Sequence, residues 1–310
     1  MVSCELASTQ LAIMNLTPDS KVMIQGITQP LGAYYAARMK TYGTNLVAGV
    51  SVGNGGQELY GIPVFDLVEE AISKCGFIDT TIIFVEPYWV LDAALEAIDG
   101  GISQIVVVTG GVPPLDMVRL LRTAEVTGTL IIGPSSSGII VPGKVLLGTQ
   151  EIEFYTPGSV GLISRTSALT YEVALALNQS QIGQSIGVNL GSEPLVGSSF
   201  RQWLDVLAID KTTKAIVLVD QTGGSSEEGM AEYIAKTINK PVVVYIAGYS
   251  TPEDKQLGDA SSIIAAQLSG PVTIATTSQH KVEVYKQAKV PVAERPSQIP
   301  KLVKKLLKKS

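Results

Sequence analysis

Short apolar runs separated by stretches of helical periodicity constrain this chain more than any other feature. Val22–Gly26, Leu46–Val50, Thr81–Val85, Ile105–Val108 and Leu130–Gly133 are the runs of the first half. Between them Gly32–Tyr42, Pro63–Lys74, Val90–Ile98 and Pro114–Glu125 carry helical spacing, as where Met117 and Leu121 stand four apart. Such alternation implies βαβ units and parallel sheets, whose strands are apolar because both faces are covered. The rhythm breaks at Val141–Pro157, with Pro142, Gly143 and Pro157 around a polar-aromatic stretch, Gln150–Tyr155. It resumes in runs at Gly158–Ser164, Ser185–Val188, Ala215–Val219 and Pro241–Ile246. The helices expected there are Ala168–Leu177, Phe200–Leu207, Glu227–Ile238 and Ser261–Leu268. A helical pattern near Lys281–Ala288, a short run Val290–Val292 and a terminal helix from about Gln298 follow. The pattern predicts an N-terminal extension at 1–19 and two doubly wound α/β domains, at 20–150 and 151–310.

Composition narrows the function classes. Apolar residues are 45% and charged residues 16% of the 310, which suits a compact, well-buried chain. A net charge of −5 makes nucleic acid an unexpected partner. Cys4 and Cys75 form no disulfide framework. No apolar run reaches the roughly 20 residues of a membrane span, and no Lys or Arg precedes Lys21. A cytoplasmic location is the expectation.

The turn after the first run, Gly26-Ile27-Thr28-Gln29-Pro30-Leu31-Gly32, leads from a strand into a helix. A turn of this kind aims backbone N–H groups and a helix N-terminus at a phosphate. Many α/β turns hold two glycines and bind nothing, so the spacing alone leaves the nucleotide site open.

Motifs along the chain sharpen the reading. They are Gly133-Pro134-Ser135-Ser136-Ser137-Gly138, Ser164-Arg165-Thr166-Ser167-Ala168-Leu169-Thr170-Tyr171-Glu172, Gly191-Ser192-Glu193-Pro194, Thr222-Gly223-Gly224-Ser225-Ser226-Glu227-Glu228 and Tyr245-Ile246-Ala247-Gly248. In order and spacing they resemble the α subunit of succinyl-CoA synthetase from Lys21 onward. The resemblance implies a Rossmann-like CoA-binding domain followed by a flavodoxin-like domain. It implies a CoA site at Gly26, Thr28, Gln29, Pro30, Leu31, Gly32, Asn54, Val108, Thr109 and Gly110, with Tyr171 near an organic-acid site. No metal ligands are implied.

The chain departs from the family at the polar handles. Gln29 replaces a glycine, and its Cβ is expected to conflict with a left-handed backbone or a close phosphate. Pro30 has no N–H to donate. Asn54 stands where the family has a lysine, and Gly110 where it has a glutamate. Binding of CoA or a related nucleotide is therefore expected to be weakened. In the second half the phosphorylated histidine is matched by Asp259, in Gly258-Asp259-Ala260-Ser261-Ser262-Ile263-Ile264, and the glutamate that orients it by Gln221. Ser167 and Ala168 replace a glycine and a threonine at the helix start facing the phosphate. Asp259 reads as a solvated or N-capping residue rather than an acyl-phosphate acceptor. Asp220 is the candidate second carboxylate, and His280, the chain's one histidine, reads as an exposed helix-start residue.

The resemblance thus implies a degenerate member without the phosphohistidine reaction, binding CoA or a nucleotide in a regulatory or scaffolding role. The alternatives are an acyl-CoA ligase or carbamoyl- or acyl-transferase subunit working by direct transfer, and a structural component with an empty pocket. A homo-oligomer or a β-type subunit is the expected partnership. The tail Lys301–Lys309 places apolar pairs between lysines, and docking on its own domain is favoured over contact with a membrane surface.

Overall fold

The computed structural model describes residues 16–166, 168–221, 227–248 and 278–308. It divides into two compact units. One holds the residues up to Ile152 together with Gly187–Gln202, and the other Glu153–Ile186 with the residues from Trp203 onward.

The first unit is built on a seven-stranded sheet of order β3-β4-β2-β1-β5-β6-β7. Its strands are β1 Val22–Gln25, β2 Leu46–Val50, β3 Glu58–Leu59, β4 Ile62–Phe65, β5 Thr80–Ile83, β6 Gln104–Val107 and β7 Leu130–Ile132. All pairings are parallel except β3 with β4. Helices α1 Pro30–Tyr42, α2 Val68–Cys75, α3 Val90–Asp99 and α4 Pro114–Thr127 cross between strands. Every residue of β1, β5, β6 and β7 is buried, as strands covered on both faces must be. Met23, Ile83, Ile105, Val107 and Ile131 pack there against Ala94, Ala97, Met117 and Leu120 of α3 and α4. Gln25 is the polar exception in β1. Its amide donates to the Ala93 carbonyl (2.8 Å) and its oxygen accepts from Thr81 (3.0 Å), so no desolvated group is left without a partner.

Chain order and sheet order together make the fold's functional edge. The chain runs outward from β1 through β2 to β4, then returns to the other side of β1 with β5 and β6. Gln25 pairs with Val50 and with Ile83, and Ile83 with Val107. The loops after β1, β2, β5 and β6 therefore leave side by side from one edge. The strand order reverses between β1 and β5, which is where open α/β sheets hold ligands.

The expected helix Pro63–Lys74 is corrected. Ile62–Phe65 is strand, and the helix begins only at Val68. Ile62 and Val64 are buried and Pro63 is exposed, so the two-residue period governs there. The stretch Val141–Pro157 contains more regular structure than its composition suggests. β8 Gly138–Val141 and β9 Val145–Gly148 form an antiparallel hairpin, with Pro142, Gly143 and Lys144 in its turn.

The second unit carries β10 Pro157–Ser164, β11 Gln184–Asn189, β12 Ala215–Asp220, β13 Val242–Ile246 and β14 Val292–Ala293, in the order β14-β13-β12-β10-β11. β10, β12, β13 and β14 are parallel. Along β11 the chain passes from the second unit back to the first, where Gly187–Asn189 pair antiparallel with β8. The helices are α5 Ala168–Gln179, α6 Phe200–Ile209, α7 Glu227–Thr237, α8 Ser278–Gln287 and α9 Ile299–Leu307. In α9, Ile299, Pro300 and Val303 are buried while Lys301, Lys304, Lys305 and Lys308 are exposed. The apolar stripe of the basic tail thus packs within its own unit, against α5, β12 and β13. Asp259 and the expected helix Ser261–Leu268 lie outside the described residues, as do Ser167 and Thr222–Ser226. Among the described residues no helix is long and apolar enough to cross a membrane.

Candidate functional site

The turn after β1 is tight for a steric reason. Gly26 has φ +81°, and a Cβ on Gly32 would overlap the Gly26 carbonyl oxygen, so both positions require glycine. Gln29 precedes α1 at φ −63°, ψ 146°, a conformation open to any residue, and the expected conflict of its Cβ with a left-handed backbone does not arise. Pro30 is the first helical residue, where an N–H has no intrahelical acceptor, so the helix loses nothing. A phosphate would lose one donor and retain those of Leu31 and Gly32. Thr28, Gln29, Pro30 and Leu31 are exposed at this edge.

The loop after β2 binds its own polar groups. Thr28 and Ser51 share a hydroxyl–hydroxyl bond of 2.5 Å. The Asn54 amide donates to Ser51 Oγ (3.2 Å) and to the Val52 carbonyl (3.3 Å), and its oxygen accepts from Gln57 (3.3 Å). Asp66 Oδ1 accepts the N–H of Gly53 (2.6 Å) and of Gly55 (3.0 Å). After β6, Thr109 donates its hydroxyl to the Val85 carbonyl (2.6 Å). Glu193 Oε1 accepts the N–H of Gly111 at 2.6 Å. A Cβ on Gly110 would lie 2.5 Å from Ser135 Oγ and 3.3 Å from Glu193 Oε1, so a larger residue there would meet a carboxylate already in place. Val108 and Gly110 are partly exposed along the same loop.

Fold topology brings Gly26–Gly32, Asn54 and Val108–Gly110 to one edge, from adjacent strands in register. Sequence reasoning missed the two carboxylates. Asp66 falls inside the helix expected over Pro63–Lys74, yet it stands two residues before α2, whose start has no side-chain cap, and its carboxylate serves the glycine loop.

In the second unit, Asp220 and Gln221 stand at the carboxyl end of β12. Asp220 Oδ1 accepts the Gln221 N–H at 2.8 Å. Lys281 of α8 is fully buried; its ammonium lies 3.2 Å from Asp220 Oδ2 and donates to the Gln221 carbonyl at 2.9 Å. A lysine in a helix rich in Lys and Val reads as solvated, and no sequence signal marks this one as the buried partner. Its neighbour His280 is exposed, in a shallow groove with Ala231, Glu232, Glu283 and Val284. At the end of β10, Ser164 Oγ accepts the Thr166 N–H (3.0 Å) and the Thr170 hydroxyl (2.6 Å), which braces the approach to α5. Tyr171, in the first turn of α5, packs on Phe154 with ring centroids 5.8 Å apart. The buried Tyr155 phenol is pushed well above its ordinary range by desolvation and by nearby Tyr171. Burial, and then the Glu172 charge, raise Tyr245 in β13. Among the described residues no three His, Cys, Asp or Glu side chains converge to hold a metal ion.

Comparison with known proteins places these features. Residues 17–111 match the family model of the CoA binding domain, and residues 163–287 that of the CoA-ligase. The chain is 38% identical over 288 residues to succinate–CoA ligase [ADP-forming] subunit alpha 2 of Archaeoglobus fulgidus, covering 93% of this chain and 97% of that one. It is 38% identical over 259 residues to malate–CoA ligase subunit alpha of Methylorubrum extorquens, covering 82% and 87%. Among solved structures, an ATP citrate lyase mutant of Methanosaeta concilii in complex with (3S)-citryl-CoA superposes with a TM-score of 0.82 at 20% identity. That match takes in 96% of this chain and 51% of the lyase chain, so the chain spans about half the length of that enzyme. At such identity the likeness is one of fold.

Proposed function

Because the chain belongs to the family of succinate–CoA ligase α subunits, we propose that it is a CoA-binding subunit of that kind in which the phosphohistidine relay has been lost. The observation that carries the loss is the single imidazole. The chain has one histidine, and it lies on the exposed side of α8, while the next residue, Lys281, turns inward to Asp220. A relay needs an imidazole that takes a phosphoryl group from one site and delivers it to another, with a carboxylate to orient the ring. On the motif resemblance the corresponding positions are Asp259 and Gln221. Gln221 carries no charge, and its backbone is tied to the Asp220–Lys281 pair.

What remains supports binding. The glycine turn after β1 retains its shape, and it faces the edge where such folds hold nucleotides. In this reading residues 20–150 hold CoA through Gly26–Gly32, Asn54 and Val108–Gly110. Residues 151–310 form the ligase-type domain, with Tyr171 near an organic acid. The relatives named as α subunits support a β-type partner, and a homo-oligomer is the other arrangement. A cytoplasmic, regulatory or scaffolding role follows. Calorimetry with CoA on the full chain tests the binding half. Saturable one-to-one binding is expected, weaker than for a relative that has the loop lysine. No heat and no thermal shift at millimolar CoA would contradict it.

A further inference from the structure

The first unit's ligand edge combines two features that the CoA reading alone does not require. One is that the backbone donors of its later loops, unlike those of Leu31 and Gly32, are already in use. The carboxylate of Asp66 holds the N–H groups of Gly53 and Gly55, and that of Glu193 holds the N–H of Gly111. Both are half-buried, and both come from outside the loops they hold. Farther along α1, Arg38 pairs with Glu151 at 3.1 Å and lies over the Tyr34 ring. The other feature is the rim. Leu31 and Tyr34 at the start of α1, Val52 after β2, Tyr88 and Trp89 after β5, and Leu115 at the start of α4 are all largely exposed. They follow the carboxyl ends of four adjacent strands, so these six stand around the place where a ligand would enter.

We propose that Asp66 and Glu193 act as built-in anions that compete with the ligand's phosphates, so that this site takes a CoA-type ligand of low phosphate charge, held mainly through its base and pantetheine chain. The inference rests on the reading of the edge as the CoA site and adds the ligand class and the residues that set it. A carboxylate within 3 Å of a glycine N–H supplies the charge-assisted bond that a phosphate oxygen would otherwise make. A second anion brought to the same donors meets repulsion, moderated by the solvent that reaches these exposed loops. The aromatic and aliphatic rim offers stacking and apolar contact that need no charge.

Calorimetry with CoA, dephospho-CoA and pantetheine on the full chain, Asp66→Asn, Glu193→Gln and the double variant tests this. Each amide keeps an acceptor oxygen for the glycine N–H groups while removing the charge. The expected result is that the double variant binds CoA about tenfold tighter, dephospho-CoA less so, and pantetheine unchanged. In the unmodified protein dephospho-CoA should bind at least as well as CoA. Its CoA affinity should hold or rise between low and high salt, because repulsion is screened. That measurement stands even if a variant fails to fold. CoA affinity that is unchanged or weaker in the folded variants, or that falls steeply with salt in the unmodified protein, would overturn this inference and leave the CoA site intact. Failure of all three ligands to bind any form would overturn both.

Discussion

Asp220 and Lys281 form a buried pair that ties the end of β12 to α8, and the Gln221 carbonyl takes another of the ammonium's hydrogen bonds. Removing one partner leaves a charge without water or a counterion, which is costlier than removing both. Lys281→Met should therefore lower unfolding stability by about 3–5 kcal/mol. Lys281→Met with Asp220→Asn should recover a large part of it. Urea denaturation of both single variants and of the double variant measures this, and a double-variant loss equal to the sum of the two single losses would show that the pair is not coupled. Gly32 gives a second test. Its Cβ would overlap the Gly26 carbonyl, so Gly32→Ala must displace the turn or the helix. A loss of about 1–3 kcal/mol is expected from such overpacking, together with weaker CoA binding. At this scale the sequence was only partly legible. The glycines of the turn announce themselves by spacing. A buried lysine, a loop-holding aspartate and the unstrained φ of Gln29 depend on contacts across the fold that no local pattern encodes.

Elements were more legible than residues, because strand and helix here follow hydrophobic period and breaker residues. β1, β2, β12 and β13 sit on the apolar runs, and α3, α4 and α5 match their expected spans within about two residues. Failures came where two signals overlapped. Pro63 resembles a helix start yet stands in β4, and the β8–β9 hairpin lies partly within a stretch rich in turn residues. The connection from α6 to β12 offers an element-scale test. Burial alone would raise the Asp210 carboxyl. The hydroxyls of Thr212 and Thr213 and then their N–H groups outweigh it and hold the carboxyl below its ordinary value. Because the folded value is depressed, the stabilisation is complete above the usual carboxylate range, near pH 4. It disappears as pH falls through the lower, folded value. Asp210→Ala should cost about 1–2 kcal/mol at pH 7, with the difference from the unmodified chain shrinking below about pH 4. A difference independent of pH would count against the hydrogen-bonded carboxylate as its cause.

At the scale of the whole molecule the two α/β units, with their parallel sheets, were legible from the rhythm of runs and helices. The family was legible from motifs in order. What the motifs carry is the backbone of a CoA–ligase α subunit; the loss of its histidine chemistry is the proposal they motivate. The proposed pairing with a β-type subunit would cover apolar surface, and such surface drives association. Light scattering after size exclusion should give an oligomer or a stable complex with a β-type subunit. A monodisperse monomer, both pure and in lysate, would remove the scaffolding role. Phosphoryl transfer to the chain decides whether this subunit binds without relaying phosphate. Incubated with labelled ATP and a β-type subunit, the protein should acquire no acid-labile phosphate. A stoichiometric phosphohistidine at His280 would contradict the account.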